Sequence, residues 1–274
     1  MKSVFICPVC GKELERLDKA YRCPANHSFD IARQGYVNLL LGSKSSLSRH
    51  GDDKLMVRCR RDFLEKGYYS ALKDAICSAA VRNTQDGATV IDAGCGEGYY
   101  TSAVKAALEA TGKKPLAAGI DISKEAVISA SSRKDGCSYA VAGVFNMPFA
   151  DGSAGTVLNI FSPLAREEYL RVLCKGGCLI RAVPLENHLM GLKRAVYDVP
   201  YANPHEELAL DGFEISHTEI IKRLLVLDNG EDIRNLFMMT PYYYKTGRED
   251  QAKLNNISHL ETELEFAVTE YIKK

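Results

Sequence analysis

Val90-Ile91-Asp92-Ala93-Gly94-Cys95-Gly96-Glu97-Gly98 decides how this chain is read. A short apolar run ends in an acid, three glycines follow at alternate positions, and a helical stretch opens at Tyr99. Glycines here let backbone amides approach a ligand closely and permit positive φ where a strand turns into a helix. The dinucleotide fingerprint is GxGxxG, whereas here the third glycine arrives one position early and Asp92 precedes the first. That order predicts an S-adenosylmethionine loop built on Asp92, Gly94, Gly96 and Gly98, not a nicotinamide site.

Around the loop, short apolar runs alternate with helical stretches. Strands are expected at 89–93, 115–120, 139–142, 156–160 and 178–183, with helices at 99–110, 124–132 and 164–173. After an insert from about Pro184 to Gly212 come a strand at 213–227, a helix from near Asp228 and a last strand from His259 to about Tyr271. The alternation predicts an α/β, doubly wound, Rossmann-like and largely parallel sheet covered by helices. Asp121 ends the second strand, where a carboxylate would accept hydrogen bonds from both ribose hydroxyls of a nucleoside; the alternative is a helix cap. The segment 145–153 is expected to flank adenine through backbone groups and apolar packing, since Gly143 and Val144 stand where an acid often does. Asn159-Ile160-Phe161-Ser162-Pro163, after the fourth strand, would face the transferred methyl and holds no strong acid or base.

Upstream lies a second constellation: Cys7 and Cys10 in CPVC, then Cys23 and His27 in CPANH. Three thiolates and an imidazole match four-coordinate zinc and leave no position open, so the expected role is structural. Residues 13–22 can form a hairpin joining the halves. About forty residues bury little core, and metal binding would supply the missing folding free energy. A disulfide reading is disfavoured in a reducing cytosol. Cys59, Cys77, Cys95, Cys137, Cys174 and Cys178 show no second ligand set.

The two constellations are separated by GSKSSLSRHGDD, 42–53, read as a linker. Three segments are therefore expected: a zinc-binding module at 1–41, the linker, and an enzyme domain at 54–274. Asp53 would cap a helix running to about Lys66 with Arg58, Arg60 and Arg61 on its basic surface, and Gly67 would end it just before Tyr68 and Tyr69. The 274 residues balance to zero net charge, yet residues 1–66 carry thirteen Lys plus Arg against eight Asp plus Glu. A basic front suggests a polyanionic partner. No run of eighteen apolar residues occurs, so a soluble, cytoplasmic protein without a membrane segment is expected.

CPVC, CPANH, then Phe29-Asp30-Ile31-Ala32-Arg33-Gln34-Gly35-Tyr36-Val37-Asn38-Leu39-Leu40, the glycine loop with Tyr99-Tyr100, and Asn187-His188-Leu189-Met190 resemble one family over nearly the whole chain. It is the 23S ribosomal RNA guanine-N1 methyltransferases that modify hairpin 35 and relate to macrolide and tylosin resistance methylases. The resemblance implies zinc on Cys7, Cys10, Cys23 and His27, cofactor contacts at Tyr69, Gly96, Glu97 and His188, an RNA-recognition role for the zinc module, and a homodimer. Glu97 would reach the ligand's amino group or simply favour the helix start; Tyr69 would cover the cofactor or serve as core. A guanine N1 must lose its proton, and the base stays open among His188, Glu97 and a water chain. Tyr242, Tyr243 and Tyr244 offer a base-stacking surface or an aromatic edge strand. Two rival functions remain: a small-molecule, quinone-like methyltransferase, and a zinc-dependent RNA-binding protein without catalysis.

Overall fold

The computed structural model describes residues 2–41 and 52–274. Apart from Asp52 and Asp53, the expected linker lies outside the described residues. The chain opens with β1 (Lys2–Ile6), β2 (Glu13–Arg16), β3 (Ala20–Arg22) and β4 (Ser28–Asp30), a small antiparallel sheet in sequential order. The expected hairpin is β2–β3, closed by Leu17 N donating to Ala20 O at 2.8 Å. β5 (Val37–Asn38) follows, then α1 (Lys54–Glu65) and α2 (Ser70–Asn83).

The loop region matches its expectation closely, with β6 (Thr89–Ala93) leading through the glycines into α3 (Tyr99–Ala110). Next come β7 (Leu116–Asp121), α4 (Lys124–Ser131), β8 (Ser138–Val141), β9 (Ala154–Ile160), α5 (Arg166–Val172) and β10 (Leu173–Pro184). The insert contains α6 (Met190–Val196), and the chain ends with β11 (Phe213–Leu227), α7 (Gly230–Met238), α8 (Tyr242–Lys245), α9 (Arg248–Lys253) and β12 (Leu260–Lys273).

Eight strands form one sheet in the order β11-β12-β10-β9-β6-β7-β8-β5. Every pairing from β10 across to β5 is parallel, while β12 runs antiparallel to both of its neighbours. The chain steps outward from β6 through β7 to β8, then returns to β9 on the other side of β6. That reversal opens a crevice at the carboxyl ends of β6 and β9, the place where open α/β sheets bind ligands.

One face of the sheet is covered by a core that includes Phe63, Leu72, Ile76, Leu108, Ile180 and Phe266. The opposite core joins Tyr169 and Leu179 to Phe5, Leu14 and Tyr21 of the zinc module. Phe5 and Phe149 have ring centroids 5.4 Å apart, and Ile6 N donates to Pro148 O at 2.8 Å. β5, expected within the 1–41 module, pairs in parallel with β8 and so covers what would be a bare sheet edge. The module is docked by shared apolar packing as well as by chain connectivity.

β1, β4, β5 and α9 lie outside the expected elements, and so do α2, α6 and α8. α2 was not anticipated, because its small residues bury Leu72, Ala75, Ile76, Ala79 and Ala80 without a clean polar face. α6 lies in the insert. Tyr242, Tyr243 and Tyr244 belong to the helical turn α8, not to an edge strand; Pro241 precedes them with φ −61° and ψ −14°, already in the helical region.

Candidate active site and metal centre

β6 delivers Asp92 to the crevice, fully buried. Thr101 Oγ1, one turn into α3, donates to its Oδ2 at 2.6 Å, while Oδ1 has no partner. Burial pushes the Asp92 carboxyl up to about 7 against the pull of that hydrogen bond, and the charges of Asp121 and Glu97 add to the rise.

The three glycines serve three purposes. Gly94, at φ +89°, lies where a Cβ would meet Ser162 Cβ at 2.4 Å. Its bareness lets the loop after β9 close on β6, where Ser162 Oγ donates to Ala93 O at 2.5 Å and Asn159 Nδ2 donates to Ser162 Oγ at 2.6 Å. Gly98, the residue before α3 at φ +82°, leaves room for Tyr139 and Ala130. At Gly96, φ +54°, a Cβ would have within 4 Å only Arg60 Nη1, at 3.4 Å. Gly96 therefore presents its open side to the crevice.

Asp121 ties the loop to β7: its Oδ2 accepts from Gly96 N at 2.9 Å and its Oδ1 from Ser123 N at 2.8 Å. The cap of α4 is Ser123, which accepts from Ala126 N, so Asp121 is left at the strand end with its carboxyl raised by burial. Glu97, also buried, pairs with Arg133, whose Nη1 reaches Glu65 at 2.7 Å. Its Oε1 is without a partner, and burial raises its carboxyl against the attraction of Arg133.

Tyr69 and His188 meet beside this loop, with the Tyr69 hydroxyl 3.4 Å from His188 Nε2. Glu265 N donates to His188 Nδ1 at 3.2 Å, which assigns the ring hydrogen to Nε2. Burial, with Lys193 nearby, lowers His188 to about 3, so it is neutral at pH 7. Phe266 packs on both rings, with centroids 5.2 Å from Tyr69 and 4.4 Å from His188. Phe161, just past β9, at φ +55° and 46% exposed, packs against Phe266 with centroids 5.6 Å apart and the rings tilted by 44°.

Sequence reasoning missed Thr101 and Arg133, and it placed Ser162 only in the loop after the fourth strand, without its bond to Ala93 across 69 residues of chain. Arg60 was noted only as basic surface; it sits over Gly96. Of the tyrosine triplet, Tyr242 donates to Asn203 Oδ1 at 3.0 Å and Tyr244 to Asp53 Oδ2 at 2.9 Å. The segment expected to flank adenine borders a depression of about 200 Å³ lined by Leu39, Leu40, Leu41, Gly143, Phe145 and Asn146.

In the amino-terminal module the ligand atoms of Cys7, Cys10, Cys23 and His27 all lie within 4.8 Å of one another. Cys7 Sγ and Cys23 Sγ are 3.5 and 3.4 Å from His27 Nδ1, and Cys10 Sγ is 3.6 Å from Cys23 Sγ. Tetrahedral zinc with bonds of roughly 2.0–2.3 Å needs ligand atoms about 3.5–3.8 Å apart. The spacing fits that metal and is far too long for a disulfide of about 2.05 Å.

Fold and crevice define a methyltransferase joined to a zinc ribbon. A family model described as a methyltransferase domain matches residues 84–198, and a zinc-ribbon model described as RlmA, N-terminal, matches residues 5–46. The 23S rRNA (guanine(748)-N(1))-methyltransferase of Streptomyces fradiae is 35% identical over 232 residues, 81% of this chain and 80% of that one. Bacillus subtilis (strain 168) YxjB, which carries a 23S rRNA (guanine-N(1)-)-methyltransferase name, is 31% identical over 90% of this chain and 89% of its own. A Micromonospora griseorubida protein of the same designation is 37% identical over 68% of this chain and 67% of its own. The chain belongs to the 23S rRNA (guanine-N1)-methyltransferase family. Among the described residues, no helix is long and apolar enough to cross a membrane.

Proposed function

We propose that this protein methylates N1 of a guanine in hairpin 35 of 23S ribosomal RNA, using S-adenosylmethionine, with zinc on Cys7, Cys10, Cys23 and His27. The observation that carries the reading is the unpartnered oxygen of buried Asp92 in a crevice shared with Asp121 and Glu97. Asp92 in β6 and Asp121 at the end of β7 lie buried near one another with no cation among the described residues paired to either, and Arg133 pairs only Glu97 in the loop between, so the site is costly unless a further cation joins it. The cofactor supplies a methyl group on a sulfonium cation and also bears an ammonium group.

Asp92, Gly94, Gly96, Glu97, Gly98 and Asp121 would hold it: the carboxyls offset its positive charge, Gly96 gives close backbone approach, and Asp121 meets the ribose hydroxyls. Tyr69, His188 and Phe266 form a wall that excludes water. Neutral His188, lowered to about 3, is a weak base at pH 7 and acts by donating from Nε2 toward Tyr69. Glu97 is engaged by Arg133. The N1 proton then passes to a water chain as the methyl leaves the sulfonium sulfur for N1, and the chain's own work is positioning a flipped guanine and desolvating it. The exposed Phe161 ring offers that base an aromatic face.

The zinc ribbon and the basic front, +5 over residues 1–66, favour RNA over a small acceptor. A cytoplasmic homodimer belongs to the same reading. The test is transfer of labelled methyl to protein-free 23S rRNA, with the product mapped by primer extension. Signal lost on deleting hairpin 35 supports it; transfer to quinones or other small acceptors without transfer to RNA overturns it.

A further inference from the structure

Arg60 is a basic group in a crevice otherwise rich in acids. It projects from α1 over the open side of Gly96, and its charge is felt by Asp121, Tyr69 and Tyr100. Its Nη2 donates to Met239 O at 3.1 Å and its Nη1 pairs with the Asp52 carboxylate. Asp52 is fastened from the other side, since its carbonyl accepts from Ser123 Oγ at 2.7 Å. A guanidinium and a carboxylate therefore meet directly above the glycine loop, each about a quarter exposed. The Met239 carbonyl holds the guanidinium and the Ser123 hydroxyl holds the Asp52 backbone, so the guanidinium is oriented in advance.

An amino-acid-bearing nucleoside brings one group that the three crevice acids repel: its own carboxylate. We infer that Arg60 is the anchor for the carboxylate of the cofactor's methionine portion, and that Asp52 occupies this anchor until the cofactor displaces it. The inference rests on the cofactor reading above. It follows from charge matching: Asp92, Glu97 and Asp121 suit the cationic part, and a planar fork of N–H donors suits a carboxylate. Gly96 leaves that side of the loop open, since a Cβ there would meet only Arg60 Nη1, at 3.4 Å. Asp52 serves as an internal stand-in that keeps the guanidinium paired, and the cofactor must compete with it.

The test measures binding rather than turnover, by calorimetry on the zinc-loaded full chain. S-adenosylhomocysteine carries the carboxylate; 5′-methylthioadenosine has the same nucleoside without the amino-acid portion. Arg60→Ala should weaken S-adenosylhomocysteine by about 10- to 100-fold and leave methylthioadenosine within about threefold. Asp52→Asn should tighten S-adenosylhomocysteine severalfold, again without effect on methylthioadenosine. Equal loss of both ligands in Arg60→Ala, or no loss of either, overturns the assignment of the anchor. Weaker S-adenosylhomocysteine binding in Asp52→Asn overturns the competition. If the unaltered protein binds neither ligand, it is the cofactor reading itself that fails.

Discussion

His188 Nε2 points its hydrogen at the Tyr69 hydroxyl, 3.4 Å away across 119 residues of chain, because the amide of Glu265 occupies the other ring nitrogen. Removing the tyrosine oxygen would strand that buried donor. Tyr69→Phe should therefore destabilise the protein by ~1–3 kcal/mol, seen as a lower urea midpoint with an unchanged slope. Burial of the same ring, with Lys193 nearby, links stability to acid. His188 sits at about 3 in the fold against 6.5 ordinarily, so its contribution is present above pH 6.5 and is lost as pH falls toward 3. His188→Gln should flatten that limb of the stability profile; an unchanged acid limb contradicts the assignment.

Asp92 gives the opposite slope. Its carboxyl is held at about 7 in the fold against 3.8 ordinarily, so the fold binds the extra proton between those values. Stability from this group is complete below pH 3.8 and declines as pH rises through 7. Asp92→Asn should be the more stable protein at pH 8 by ~1–3 kcal/mol and should gain little at pH 4. Cofactor affinity should rise with pH through about 7 in the unaltered protein and stay flat in Asp92→Asn. Urea melts and calorimetry at pH 5, 6, 7 and 8 decide both points.

The strand, acid and glycine order from Val90 to Gly98 was legible because each residue states a local requirement: apolar burial, a turn, a helix start. The four zinc ligands were legible for the same reason, since metal geometry fixes residue type and spacing together. α2 escaped because a helix buried on several sides loses the amphipathic stripe that marks one. The tyrosines of α8 read as a stacking surface or an aromatic edge strand by composition, whereas Pro241, already in the helical region, leads them into a helical turn. Arg60, Thr101 and Arg133 gained meaning only from tertiary neighbours, and a lone arginine on a basic helix carries no sign of the glycine beneath it. The docking of the ribbon through Phe5 on Phe149 was hidden likewise, because two aromatic residues 144 positions apart announce nothing in the chain.

That docking shapes what loss of zinc should do. Cys10 is the exposed ligand, whereas Cys7 and Cys23 lie in the shared core with Phe5 and Phe149. Cys10→Ser should release zinc and lower RNA methylation at least about tenfold, while cofactor affinity stays within about threefold because the crevice lies at β6 and β9. Metal content by mass spectrometry, calorimetry and methyl transfer on the same preparation give the answer. A collapse of cofactor affinity would mean that the ribbon supports the large sheet through β5.

The glycines separate folding from binding. At Gly98 an added methyl would lie 2.9 Å from Tyr139 Oη, 3.0 Å from Ala130 Cβ and 3.2 Å from Ala130 Cα, at a φ of +82°. Helix α4 cannot withdraw without disturbing its packing, so Gly98→Ala should cost ~2–4 kcal/mol of stability, the left-handed backbone accounting for ~1–2 of it. At Gly96 the added methyl meets only Arg60 Nη1, at 3.4 Å, which is ordinary contact, so nothing has to shift. Gly96→Ala should therefore cost ~1–2 kcal/mol, from φ alone. Its larger effect should fall on cofactor affinity, since the methyl occupies the side open to the crevice. The two variants thus order oppositely in two measurements: Gly98→Ala has the lower urea midpoint, and Gly96→Ala, where still folded, has the weaker cofactor binding. The same order in both assays would place the ligand on the wrong side of the loop.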